Sequence, residues 1–151
     1  MKLGRAATAW LGVAAGALVA GLLAGLLWLA QPTRSGHDPL TGTAWRLTAW
    51  SLDLARPASV EQTLVFDDQG DEPYYSGFAG INNFRGRVTV ALDGQVEFGP
   101  AIATLIGGPD RVMTVETAYL QALAAVTSYR LSGDDLTLIG PDAIQLSFLP
   151  A

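Results

Sequence analysis

The hydrophobic pattern divides the chain in two. From Ala6 to Ala30 no charged side chain occurs, and the run is Leu, Ala, Val and Gly with almost no polar position at a helical period. Beyond Pro39 the pattern becomes short alternating runs. Trp45, Leu47 and Ala49 fall on one face of a strand beginning near Thr43. Thr63 to Phe66 predicts a second strand, ended by the turn residues Asp67-Asp68-Gln69-Gly70. Tyr74 to Phe78 predicts a third. Val88, Val90 and Leu92 alternate up to Asp93-Gly94, a hairpin dipeptide, and Val96 and Phe98 continue beyond it. Tyr129 and Leu131, then Leu136 and Leu138, then Ile144, Leu146 and Phe148 predict a three-stranded meander with turns at Gly133-Asp134 and Gly140-Pro141-Asp142.

One helix interrupts the strands. Pro109-Asp110 supplies the break and the expected N-cap. Val112, Val115, Tyr119, Leu120, Leu123 and Val126 recur at helical spacing, with Glu116, Thr117 and Gln121 expected on the opposite, polar side. A single amphipathic helix must bury its stripe against the sheet, so the pattern predicts an antiparallel α+β domain.

The first run is long enough to cross a bilayer, which takes about 20 apolar residues. Lys2 and Arg5 precede it and Gln31-Pro32 ends it. Three readings compete. An uncleaved signal anchor is preferred, because the run is long for a signal-peptide core. A cleaved signal peptide is second, and Trp28 is a poor residue three before a cleavage point after Ala30. A degenerate lipoprotein signal is third: Leu22-Leu23-Ala24-Gly25 starts like a lipobox, but Leu26 stands where the lipidated Cys belongs. Gly12-x-x-x-Gly16 and Gly21-x-x-x-Gly25 have helix-packing spacing, which the Ala and Gly content explains equally well. The resulting organisation is a transmembrane signal anchor over 1–30, a linker over 31–39 and one globular domain over 40–151. The membrane is contacted through residues 6–30. Positive charge before the run places the N-terminus in the cytoplasm and the domain in a periplasm or outside the cell.

Charge and composition narrow the chemistry. After residue 5, seven arginines stand against fourteen carboxylates, leaving −7. That balance argues against nucleic acid, whose phosphates require clustered Lys and Arg, and against electrostatic adhesion to anionic lipid. The chain has no cysteine and one histidine, His37. Thiolate chemistry, Cys-ligated zinc and multi-His metal sites are excluded, and no cofactor is expected.

The stretch Gly77-Phe78-Ala79-Gly80-Ile81-Asn82-Asn83-Phe84-Arg85-Gly86 resembles the signature of the META domain, the HslJ-like family of bacterial envelope proteins: Gly-x-x-Gly-Cys-Asn-x-Phe-x-Gly. Gly77, Gly80, Asn82, Phe84 and Gly86 match; Ile81 stands at the Cys. Leu40-Thr41-Gly42-Thr43-Ala44-Trp45-Arg46-Leu47 resembles the family's opening strand, and Thr63-Leu64-Val65-Phe66 its second. Thr104 through Pro109, followed by Glu116 to Val126, resembles its Thr-x-Met-x-Cys-Pro segment and helix. Leu131-x-Gly133-Asp134-x-Leu136-x-Leu138 resembles its closing hairpin. The resemblance implies a small, strongly curved, barrel-like antiparallel sheet with one packed helix, an envelope location and links to stress tolerance. It implies no established catalytic activity or cofactor. Many members carry a second Cys where Gly108 stands here, so both presumed disulfide partners are replaced, at a typical loss of about 2–4 kcal/mol.

The most distinctive local feature is therefore the loop carrying Gly80, Asn82, Asn83, Phe84 and Gly86. It reads either as architecture, with glycines permitting tight geometry and Phe84 filling the core, or as a polar binding loop on a rigid sheet. Asp67, Asp68, Asp71 and Glu72 form an acidic cluster that fails the EF-hand pattern at its sixth and twelfth positions and reads as a solvated turn. Trp45 and Trp50 are expected in the core and at its rim. The expected function is a membrane-anchored, non-catalytic envelope domain that binds a protein or envelope component; the alternative is a carboxylate-dependent hydrolase acting on envelope glycans. A reporter enzyme active only outside the cytoplasm, fused after Ala151, is expected to be active. An inactive fusion of normal abundance would overturn the outward orientation.

Overall fold

The structure, a computed structural model, describes residues 40–68 and 72–151. The apolar run over 6–30, the linker over 31–39 and Asp71 lie outside the described residues. Among the described residues no helix is long and apolar enough to cross a membrane.

The strands are β1 (Ala44–Trp50), β2 (Thr63–Asp67), β3 (Tyr74–Phe78), β4 (Asn83–Val90), β5 (Val96–Phe98), β6 (Ile102–Ala103), β7 (Ser128–Ser132), β8 (Asp135–Ile139) and β9 (Gln145–Pro150). One helix, α1, spans Asp110–Ala125 between β6 and β7. The sheet runs β5-β4-β3-β2-β1-β9-β8-β7, with β6 paired to β4. Every strand pairing is antiparallel. The two end strands approach each other: Tyr129 N–H donates to Gly94 O at 2.7 Å, and Val96 N–H to Thr127 O at 3.1 Å. A bridge between Gln95 and Ser128 completes a nearly closed barrel. Near-closure leaves little open sheet edge, and α1 covers the interior.

Alternation decides what enters that interior. Leu64 and Phe66 of β2, Leu136 and Leu138 of β8, and Leu146 and Phe148 of β9 are buried, and their neighbours along each strand are less so. The helix adds Val115, Tyr119, Ala122 and Leu123. Ring contacts run through the core from Phe66 to Phe98 (5.9 Å), Phe98 to Tyr75 (4.9 Å, edge-on), Tyr75 to Phe84 (6.0 Å) and Phe84 to Tyr119 (5.9 Å, edge-on). Tilted and edge-on geometries suit the ring quadrupole, and each buried ring contributes about 1.5–3 kcal/mol through area alone. Gln62 is also buried, with no partner for its side-chain amide among the described residues.

Three expectations require correction. Ala49 does not share the inward face with Trp45 and Leu47. The β1–β9 register shifts between Leu47 and Ala49, and this irregularity turns Ala49 outward and Trp50 against the core. Leu92 does not continue β4. It lies exposed in the turn closed by Ala91 N–H to Gln95 O at 2.9 Å. Asp110 does not cap α1. Pro109 is the N-cap, its carbonyl accepting from the Val112 and Met113 N–H groups, and no side chain caps the helix. Asp110 occupies the first turn instead, where a carboxylate meets the positive end of the helix dipole.

Burial pushes the Tyr119 phenol far above its usual range near 10, and raises Tyr75 as well. The folded state therefore holds protons that the unfolded chain releases near pH 10. Their contribution to stability is complete below that pH and is lost as the pH rises further. Denaturant midpoints measured from about pH 8 to about pH 11.5 are expected to stay level and then fall above about 10. Phenolate absorbance in which all four tyrosines ionise together near pH 10 in the folded protein would refute this.

Candidate functional site

The loop singled out from the sequence joins β3 to β4. Ala79 N–H donates to Asn82 O at 2.9 Å, closing a tight turn. Gly80 takes φ +135°, which L side chains rarely adopt, and an added Cβ would sit 3.1 Å from a Val60 methyl. Strand alternation then separates the remaining residues. Asn82 and Phe84 are buried, whereas Asn83 and Arg85 are exposed. Gly86 lies beneath the Tyr75 ring, where a Cβ would come within 2.5 Å of Cε1. That close approach frees the Tyr75 hydroxyl to donate to Gly99 O at 2.7 Å.

The partner of this loop is a residue expected elsewhere. Glu116 is expected on the polar side of the helix, but it is buried. Its Oε2 accepts from Ile81 N–H at 3.0 Å and Asn82 N–H at 2.8 Å, and its Oε1 accepts from Asn82 Nδ2 at 2.7 Å. Asn82 extends the network: its Oδ1 accepts from Thr104 Oγ1 and Ile106 N–H, both at 2.8 Å, and its Nδ2 donates to Ile106 O at 3.1 Å. Thr104 N–H also donates to Asn83 O at 3.0 Å. Helix, β3–β4 turn and β6–α1 loop are thus joined by one carboxylate and one amide. The spacing held the signal: Glu116 lies three before Tyr119 and seven before Leu123, within the apolar stripe.

Positions 81 and 108, where the family resemblance places cysteines, face each other. A Cβ built on Gly108 would overlap Ile81 Cδ1. Ile81 therefore fills space that a side chain at 108 would need, and the contact between the two loops is made by packing.

The acidic residues do not form a comparable centre. Glu72 and Arg87 pair through both guanidinium nitrogens at 2.7 Å, on the surface. Asp67 accepts from the Tyr74 hydroxyl at 2.8 Å, and that bond raises the Tyr74 pKa. The Arg85 guanidinium lies 3.7 Å from the Tyr74 ring centre. Glu72, Tyr74, Arg85, Arg87 and Ile102 line a cleft of about 600 Å³. Among the described residues no three His, Asp or Glu side chains gather as a metal set. Trp45 is buried with Nε1 donating to Leu40 O at 3.4 Å; Trp50 is half-buried with Nε1 on Leu54 O at 3.0 Å.

A nearly closed antiparallel barrel with one packed helix, knotted by Asn82 and Glu116, defines a class of small α+β domain. The META domain profile matches residues 38–151, and the chain belongs to that family. Solved structures share the fold. A protein from Burkholderia xenovorans, solved by NMR, aligns with TM-score 0.62 at 24% identity over 74% of this chain and 83% of that one. A second NMR structure aligns with TM-score 0.53 at 15% identity, over 74% and 91%. A DUF4847 family protein from Bacteroides vulgatus aligns with TM-score 0.52 at 10% identity, over 74% and 94%. No curated protein matches.

Glu116→Gln is expected to lower stability by about 2–4 kcal/mol, because one oxygen that receives N–H groups becomes an amide donor. A denaturant midpoint within about 0.5 kcal/mol of the parent would show that the network carries no such weight.

Proposed function

We propose that this chain is a membrane-anchored, non-catalytic domain of the bacterial cell envelope that binds a protein or an envelope component, in stress tolerance or envelope maintenance. Membership of the META family supports the envelope setting. The observation that carries the non-catalytic reading is the state of Glu116. Catalytic carboxylates stand in clefts with perturbed acidity, whereas this one is buried and held by three donors inside the domain, and it lines none of the four clefts described below.

The alternative is a hydrolase acting on envelope glycans, which needs two carboxyl groups facing one cleft. Among the described residues, four surface clefts each carry a single carboxylate: Glu72, Asp110, Glu97 and Glu61. Glu72 is already paired with Arg87. This distribution favours the binding reading.

In-cell crosslinking of the full chain is expected to recover a specific envelope partner, which a version lacking Met1 to Ala30, deprived of its export signal, no longer reaches. Specific crosslinks from neither form would overturn the proposal. Turnover of envelope glycans by the purified chain would replace it with the hydrolase reading.

A further inference from the structure

We propose that the segment from Ile102 to Ile106 is an open strand edge that pairs with an extended segment of a partner polypeptide; this deepens the binding reading above and rests on it. Among the described residues β6 has a strand neighbour on one side alone, β4. Closure of the barrel joins the β5 end to the β7 end through the Gln95–Ser128 bridge and leaves β6 outside that seam. From Ala101 to Pro109 every residue except the half-buried Ala103 is exposed.

Hydrogen bonding extends the strand beyond its two paired residues. Ile102 lies opposite Arg85, and Ala103 opposite Phe84. One step further, Thr104 N–H donates to Asn83 O at 3.0 Å. Ile106 is then met by the Asn82 side chain, whose amide accepts from Ile106 N–H and donates to Ile106 O. An amide that takes both groups of one residue stands in for a paired strand residue. In antiparallel pairing, residues bonded inward alternate with residues whose N–H and C=O point to the open side. Thr104 and Ile106 bond inward, so Ala103 and Leu105 present their main-chain groups outward. The N–H and C=O of Leu105 have no partner among the described residues.

Those groups select what covers the edge. A hydrocarbon surface offers nothing to an outward N–H and C=O, whereas an extended main chain supplies an acceptor and a donor at the matching spacing. Ile102, Leu105 and Ile106, 81%, 98% and 55% exposed, add aliphatic contact on both faces of the added strand. Open edges are normally blunted by Pro, Lys or another charge. None occurs between Ala101 and Gly108, and Pro100 and Pro109 stand just outside. Charges around the segment are exposed and of both signs, Arg85 and Arg111 against Glu61 and Asp110. Recognition therefore falls on backbone and aliphatic groups. A second copy is disfavoured, because each chain carries −7 beyond residue 5.

The full chain in lipid nanodiscs is titrated to about 1 mM with a terminally blocked peptide of alternating Thr and Val, flanked by Lys for solubility, and followed by amide NMR. The Ala103 and Leu105 N–H resonances are expected to move most, and their hydrogen exchange to slow by about tenfold or more. The same peptide N-methylated at every Thr and Val keeps its side chains but loses its main-chain donors, and is expected to leave both resonances unchanged. Leu105→Pro removes the outward N–H and is expected to weaken binding by about tenfold, whereas Leu105→Thr retains it and binds within about threefold of the parent. Unmoved resonances at Ala103 and Leu105, or equal binding of the N-methylated peptide, would overturn the edge pairing whether or not Leu105→Pro folds. Exchange at these amides that slows with protein concentration alone would assign the edge to a second copy and overturn it too. In-cell crosslinks retained in full by Leu105→Pro would leave the binding reading standing and overturn this site. The binding reading itself fails separately, through a parent chain that gives no specific crosslink.

Discussion

The carboxylate of Glu116 is the interaction on which the rest of the domain turns. A buried charge is costly, and the cost is offset only when its lone pairs are filled. Three N–H groups from Ile81 and Asn82 fill them. Satisfying the helix residue therefore dictates where the β3–β4 turn must lie. Gly80 must then adopt its positive φ, and Asn82 must point inward. Once Asn82 is fixed, its remaining amide capacity positions Thr104 and Ile106. One polar requirement in the core thus propagates to the conformation of a surface loop.

The domain achieves this without a covalent link. Where the resemblance places paired cysteines, Ile81 packs into the space above Gly108. The two loops are held by the Asn82 amide and by that contact together. The aromatic contacts from Phe66 to Tyr119 join the same region to the barrel interior. Phe84, two residues from Asn82, is buried between the rings of Tyr75 and Tyr119.

Carboxylates concentrate around the β2–β3 connection and the hairpin turns, while Gly77–Phe84 and Ile102–Pro109 contain no charged side chain and the second carries exposed aliphatic side chains, with Glu61 and Asp110 flanking them. A charge confined to the core and an apolar loop held on the surface reverse the usual distribution. The same network accounts for both: Glu116 draws the turn inward, and Asn82 holds the backbone around Leu105 so that its side chain faces out.

Much of this was legible in the chain. Alternation in Thr63–Phe66, Leu136–Leu138 and Ile144–Phe148 determined strands, because period two places side chains on one face. Asp93-Gly94 and Gly133-Asp134 determined hairpins, and the Val115–Tyr119–Leu123 stripe determined the helix. The family signature pointed to Asn82, and its inward orientation emerged only with the strand parity of β4. Other features depended on partners distant in sequence. The β1 irregularity that turns Ala49 outward is set by register with β9, about a hundred residues away. The two-residue β6 exists only because β4 lies beside it, and near-closure needs Gly94 to meet Tyr129. Glu116 looked like a surface residue because a carboxylate is normally soluble; its burial became favourable only when a turn 34 residues earlier in the chain supplied the donors. Local pattern determined which elements form, and tertiary contact decided which polar groups they could afford to bury.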